Sequence, residues 1–236
     1  SLRHFLPVLL QLGLLLAVAE VYNLEGRGFH LLLGIATAAL PIHYMLPFRW
    51  KKPFFVGISI LGLALVFGGA TAAVVLPIAL GLIGLCMTPL PWHVRVLGVL
   101  AAAVGLGLVR AGTIETSWPA PVLPVLGTML MFRLMIFLYE LKHSKTREPA
   151  ADVLSYFFLL PNYCFLHFPV VDYRTMQRGY FASDIHAVQR DGLKMMLRGF
   201  VQLLLYRFIY HELLITPEQV VGPASLGRFL ACNYLL

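Results

Sequence analysis

The residues most able to do chemistry sit where an otherwise apolar sequence turns polar. His167 lies in the aromatic run 151–171, with Asn162 and Tyr163 before it and Asp172 and Arg174 after it. An ionisable side chain at membrane depth is costly and often functional. The same histidine can instead bond a backbone carbonyl freed where Pro161 or Pro169 breaks the helix. Both roles stay open for His167. His211-Glu212 begins like the helix of a zinc protease, but that motif needs a second histidine at position 215, which is Ile. His30 and His43 share one apolar segment thirteen residues apart, about 20 Å along a helix. They reach opposite membrane faces and cannot bind one haem together, so interfacial anchoring is expected of both. Arg133 and Glu140 stand seven apart on one helix face, where each can pair with a neighbouring helix.

Other chemistries find no residues to carry them. Cys86, Cys164 and Cys232 are odd in number and far apart, and each lies in an apolar stretch. They have neither disulfide nor zinc spacing and read as small buried hydrophobes. No glycine cluster is followed by the Lys-Ser or Lys-Thr of a phosphate-binding loop. Gly57, Gly62, Gly81, Gly84, Gly98, Gly105 and Gly107 are expected to permit close helix packing. No metal site and no cofactor is expected.

The elements that must position these residues are membrane helices. The chain has 236 residues, of which 59% are hydrophobic and 12% charged. Soluble domains carry about 25% charged residues, enough to coat a water-exposed surface. At half that share, lipid is the natural solvent. The net charge of +7 does not indicate nucleic acid, because the basic residues fall in short clusters between apolar runs. Six spans are expected, at residues 2–22, 29–46, 54–67, 70–90, 94–109 and 119–139, with a turn at Gly68-Gly69. With the N-terminus in the cytoplasm, inner segments hold Arg3, Arg49, Lys51, Lys52, Arg95, Lys142, Lys145 and Arg147. Outer loops hold only Arg27 and Arg110. Eight against two agrees with the positive-inside rule. Residues 5–16 followed by Ala17-Val18-Ala19 resemble a signal peptide, but further spans follow and the next loop lies outside in either case. The chain starts at Ser1 and stops inside the apolar run 229–236, which suggests a piece of a longer protein.

The domain reading is therefore a six-span framework over 1–149 and a different region over 150–236. Two prolines interrupt 151–171, as in a broken or re-entrant segment sheltered by protein or a water-filled cavity. A re-entrant path also returns Arg174, Arg178 and Arg190 to the inner side. Over 192–215, Arg190, Lys194, Arg198 and Gln202 recur every four residues, opposite Leu193, Met196, Leu197, Phe200 and Leu204. Such a basic amphipathic helix suits the membrane interface. The fold class expected is all-α: a polytopic transmembrane helical protein with a broken segment and an interfacial helix.

Three stretches carry a family resemblance. Residues 43–65 read HYMLPFRWKKPFFVGISILGLAL, 154–179 read LSYFFLLPNYCFLHFPVVDYRTMQRG, and 184–210 read DIHAVQRDGLKMMLRGFVQLLLYRFIY. Their order resembles the N-terminal half of the membrane-bound O-acyltransferases, the MBOAT family. The bacterial branch of polysaccharide O-acetylases and teichoic-acid D-alanyl transferases is the most similar. The likeness lies in the basic cluster after an early span, the aromatic segment ending in Phe168-Pro169, and the helix with Arg198-Gly199. Many relatives place Gly-Pro soon after Phe-Pro, whereas this chain has Val170-Val171-Asp172-Tyr173. The resemblance implies acyl transfer from a thioester donor, an acyl-CoA or acyl carrier, to a hydroxyl acceptor. It also implies a multi-pass protein of the bacterial inner membrane.

In the family an embedded histidine acts as base in the C-terminal half, so the catalytic residue is expected beyond residue 236 and none is assigned here. Asn162, Tyr163, His167, Asp172 and His211 become candidates for a substrate tunnel. Arg174, Arg178, Lys194 and Arg198 become candidates for contacts to the donor or to lipid headgroups. The competing reading is a non-catalytic polytopic subunit, a scaffold bound to partner membrane subunits. A transporter ranks last, because only one interrupted segment is visible where an inverted repeat would show two.

Overall fold

A bilayer core offers no water to unpaired backbone groups, so a segment crossing it must bond its own amides and carbonyls. Helices are the result. The computed structural model describes residues 2–24, 26–143, 148–159, 172–180 and 185–235, and among them every regular element is helical. Among the described residues, five helices are long and apolar enough to cross a membrane. The chain is an all-α, polytopic membrane protein.

Helix α1 covers Leu2–Val21. Its apolar part among the described residues, Phe5–Val21, is shorter than the five spanning helices. The five are α2 (Arg27–Met45), α3 (Phe48–Phe67), α4 (Gly69–Met87), α5 (Trp92–Arg110) and α6 (Val122–His143). Helix α3 begins six residues before the expected start and takes Arg49, Lys51 and Lys52 into its first turns. Its first turn needs no internal amide partners, so charged residues and a proline at the N-cap, Pro47, fit there. The turn at Gly68 forms as expected, with φ +89°, a conformation that favours glycine. Helix α6 widens into a π-helical stretch over Val125–Met131. Beyond it lie α7 (Ala150–Phe157), α8 (Tyr173–Tyr180), α9 (Ile185–Phe208) and α10 (Pro223–Leu235). A π-helical turn, Ile209–Leu213, ends α9. Helix α8 lies in the most polar stretch, where no helix was expected. Helix α9 starts at Ile185, seven residues before the expected 192.

The chain forms two compact units, one of Glu25–Ser183 and one of Ser1–Leu24 with Asp184–Leu236. In the larger unit α4 and α6 form the centre. Helix α4 buries Thr71, Ala72, Val75, Ala79, Leu82, Ile83 and Cys86, whereas α5 buries only Val99. Both are strongly apolar, so hydropathy alone does not separate protein-facing from outward-facing spans. The packing glycines also divide. A Cβ on Gly98 would come within 2.6 Å of the Leu85 side chain, so α4 and α5 approach closely there. A Cβ on Gly57, Gly81, Gly84, Gly105 or Gly107 would meet nothing within 4 Å. Those five do not serve the close packing expected of them.

One end of this unit gathers residues that alternating spans should bring together. Trp92 donates its indole N–H to the Leu138 carbonyl at 3.2 Å, and the Lys142 ammonium lies 4.6 Å from the Trp92 ring centroid. Arg95 donates to the Cys86 and Leu90 carbonyls, both at 2.9 Å, and so caps the C-terminal end of α4. The start of α5 and the ends of α4 and α6 therefore share a side.

In the smaller unit α1 buries Phe5, Leu12, Leu15 and Ala19 at helical spacing. Leu14 and Leu15 of α1 meet Leu193 and Leu197 of α9 along one groove. Arg207 of α9 donates to the Tyr22 and Asn23 carbonyls just past α1. These two contacts run in the same order along both helices, so α9 lies parallel to α1. The basic stripe Arg190, Lys194, Arg198 and Gln202 is exposed as its spacing requires. The apolar side is less uniform. Phe200 is buried, but Leu197 is 55% exposed. The contact with α1 covers only part of that side.

Candidate functional site

Polar residues in an apolar bundle must satisfy one another, and the larger unit contains one place where they do. It forms where α7 and α8 meet α3 and the end of α6. Asp152 lies in the first turn of α7 and Glu148 just before that helix, while Tyr173 and Gln177 are four apart on α8. Four-residue spacing puts Tyr173 and Gln177 on one helix face. That face meets both carboxylates. The Gln177 side-chain amide donates to Glu148 at 3.2 Å, to the Tyr173 hydroxyl oxygen at 3.0 Å and to Asp152 at 3.4 Å. The Tyr173 hydroxyl donates to Glu148 at 3.1 Å. Lys52 reaches from α3 to form an ion pair with Asp152. One ammonium, one amide and one phenol thus hold two carboxylates. Burial, and next the negative charge of Glu148, push the Tyr173 hydroxyl well above its ordinary range. It therefore stays protonated and keeps donating.

Aromatic rings floor this polar knot. Phe137, Tyr156, Phe157 and Tyr173 pack edge to face, with centroids 5.2–5.5 Å apart in four of their pairs. Arg133 is buried beside them. Its guanidinium donates to the Tyr156 carbonyl and lies 5.0 Å from the Tyr156 ring centroid. A lone arginine in α6 is thus held by a carbonyl at the end of α7 and by a π-face. Two polar atoms here are buried and find no hydrogen-bond partner among the described residues: the Tyr156 hydroxyl and one Glu140 carboxylate oxygen. They are a donor and an acceptor with unused capacity. Glu140 and Arg133 both lie within electrostatic reach of the Tyr156 hydroxyl.

The structure distributes the expected site residues as follows. Asn162, Tyr163 and His167 lie outside the described residues. Asp172 accepts from the Thr175 N–H at 2.6 Å and caps the N-terminus of α8. The Thr175 hydroxyl and N–H hold the Asp172 carboxyl below its usual range. The backbone N–H of Arg174 faces Glu140 at 3.5 Å. Arg178 is exposed on α8. These three belong with the knot. Lys194, Arg198 and His211 belong to the other compact unit. Lys194 and Arg190 flank the groove against α1, Arg198 is exposed, and the His211 ring meets the Tyr210 ring edge-on at 5.2 Å. Among the described residues no group of three His, Cys, Asp or Glu is placed to hold a metal ion.

Sequence reasoning missed Lys52, Glu148, Asp152, Tyr173 and Gln177. A signal was present. Asp152 is the one acidic residue between Pro149 and Val171, and it has Glu148 one turn before it. No family model, curated protein or solved structure matches the chain.

Proposed function

We propose that this chain is the N-terminal part of a membrane-embedded acyltransferase. It would move an acyl group from a thioester donor to a hydroxyl acceptor in a bacterial inner membrane, with the N-terminus in the cytoplasm. Two things support the reading: the resemblance of residues 43–65, 154–179 and 184–210 to membrane-bound O-acyltransferases, and the chemistry of the polar knot. The carrying observation is the pair of buried polar atoms without partners, the Tyr156 hydroxyl and the Glu140 oxygen, beside a fully bonded network. Leaving a buried polar group unsatisfied costs about 1–3 kcal/mol. A site that binds a polar ligand group gains by keeping such atoms in reserve.

In this reading a histidine beyond residue 236 takes the proton of the acceptor hydroxyl. The oxygen attacks the thioester carbonyl, the carbon–sulfur bond breaks and the thiol leaves. The residues in hand bind and position. Tyr156 and Glu140 offer a donor and an acceptor to substrate, and the knot fixes α7 and α8 beneath them.

The test uses the full-length protein in proteoliposomes, with radiolabelled acetyl-CoA and a panel of hydroxylated acceptors. Thiol release and label transfer are measured together. Transfer above the hydrolysis blank is expected, falling about tenfold or more in Tyr156→Phe and Glu140→Gln. No transfer to any acceptor, from donors of several chain lengths, would sink the reading and leave a scaffold. One observation favours that second role. Leu97, Leu100, Val104 and Leu108 form an exposed apolar face along α5, which fits a partner membrane subunit as well as lipid.

A further inference from the structure

The basic cluster at the start of α3 points in two directions. Lys52 turns inward to Asp152. Lys51 is about 100° further round the helix and belongs to another face. Lys51, Phe54, Phe55 and Ile58 follow the three-to-four-residue spacing of one helical stripe. The last three line a groove between α2 and α3, opposite Ala36, Ala39, Leu40 and His43 of α2. The groove has a volume of about 280 Å³, and His43 is its one ionisable lining residue. The His43 ring lies 6.3 Å from the Phe54 ring, and Lys51 is close enough to act on it electrostatically.

The depth and the rim of this groove suit different parts of one molecule. Helices α2 and α3 are joined by the short link Leu46-Pro47, so His43 and Phe54 sit nearest the link and Ala36 and Ile58 lie deepest. Seven residues separate Lys51 from Ile58, about 10 Å along the helix. Beside the link, Met45, Phe48 and Trp50 are exposed, at 81%, 69% and 55%. The Arg49 guanidinium lies 5.7 Å from the Trp50 ring centroid. Exposed aromatic residues mixed with basic ones mark the headgroup level of a membrane. Among the described residues, neither Arg49 nor Lys51 forms a salt bridge.

We propose that this groove holds one anionic phospholipid. Its phosphate lies against Lys51, the His43 ring meets the glycerol ester region, and one acyl chain fills the apolar channel between Ala39 and Phe55. The occupant follows from charge complementarity: Lys51, a cation that forms no salt bridge among the described residues, stands on the groove's own stripe above an apolar slot about 10 Å deep. The slot is at the small end for a binding pocket, so it takes one acyl chain of that lipid and leaves the second chain outside. This site is independent of the acyl-transfer reading, because none of its residues lies in the polar knot.

The test is a thermal-shift and native mass-spectrometry titration of the whole protein in detergent. Three probes are compared: phosphatidylglycerol, phosphatidylcholine of the same chains, and glycerol 3-phosphate. Phosphatidylglycerol should raise Tm and appear as a single retained adduct, while the other two do neither. Lys51→Gln should weaken that adduct about fivefold or more. Ala39→Phe should fill the channel and abolish it. If Ala39→Phe does not fold, a diazirine in the acyl chain of the lipid decides the matter on the wild type. Labelling is then expected on α2 at 36–43 and on α3 at 54–58. Equal retention of phosphatidylcholine would overturn the role of charge. Retention of glycerol 3-phosphate would mean an anion site without a chain. Labelling confined to other helices would place the lipid elsewhere.

Discussion

Two polar regions of this chain have similar residues and opposite settings. In the knot, Lys52, Asp152, Glu148, Gln177 and Tyr173 are drawn out of solvent and bond one another. On α9, Arg190, Lys194 and Arg198 stand exposed in a row, and the only acidic partner among the described residues is Asp191, 3.3 Å from Arg190 in an exposed pair. The difference is one of geometry. In the knot, three separate elements bring complementary groups to one point. In the stripe, a single helix repeats one sign of charge. Buried charges depend on their partners, whereas exposed charges are held by their surroundings.

The largest test of that contrast is Lys52→Met. The Asp152 side chain is about 10% exposed, so losing its ammonium leaves a nearly buried carboxylate with a single weak amide contact. Breaking one side of a buried pair costs about 3–5 kcal/mol. Helices α7 and α8 should lose protection in hydrogen exchange, and Tm in detergent should fall sharply. The double change Lys52→Met with Asp152→Leu should recover most of the loss. If the double variant is as unstable as the single, the pair is not what ties α7 to α3.

Tyr173→Phe comes next. It removes a hydrogen bond to a carboxylate, a contact of about 1.5–3 kcal/mol. It also changes the pH dependence. Because the folded protein raises the Tyr173 pKa, the neutral phenol stabilises the fold fully below about pH 10, where the free side chain ionises. That contribution is lost as pH rises from there towards the folded value. Wild-type stability should fall above about pH 10, and Tyr173→Phe should show a smaller drop over the same range. Identical alkaline profiles would show that the hydroxyl is not held neutral by Glu148 and burial.

A third comparison separates filled from open surroundings among the glycines. Gly98→Ala pushes a methyl into Leu85 and should cost about 1 kcal/mol through overpacking. Gly105→Ala meets nothing and should stabilise α5 by a few tenths to about 1 kcal/mol through helix propensity. Opposite signs on one helix would confirm that Gly98 is closely packed and Gly105 is not.

These contrasts mark what the sequence could reveal. Hydropathy and charge spacing placed five of the six expected spans, the Gly68 turn and the shared side of Arg95 and Lys142. Each depends on composition along the chain. Partners across the chain were hidden. Nothing local to Lys52 announces Asp152, one hundred residues away, and nothing in the glycines separates Gly98 from Gly105. The start of α3 was misplaced because charge was read as loop, when a first helical turn tolerates it. Helix α8 was missed because its residues are polar, and it is held by Asp172 at its cap and by Tyr173 and Gln177 in the knot. His167, the most suggestive residue in the sequence, falls outside the described residues, and the knot was found through the less conspicuous Asp152.

The smallest effect is expected on the exposed side of the contrast. Lys194→Gln with Arg198→Gln removes two like charges one turn apart on α9. Neither forms a salt bridge among the described residues. Like charges at four-residue spacing repel by about 0.2–0.5 kcal/mol, so their removal should leave Tm unchanged or slightly raised. What should change is attraction to an anionic surface, which is worth about 1 kcal/mol for each basic residue close to it and weakens with salt. Partition of a peptide spanning α9 onto phosphatidylglycerol vesicles should therefore drop about tenfold or more at low salt and converge with wild type at high salt. A large loss of stability in the whole protein would mean that the stripe is packed against something. In that case the division between a bonded knot and a free stripe would have to be redrawn.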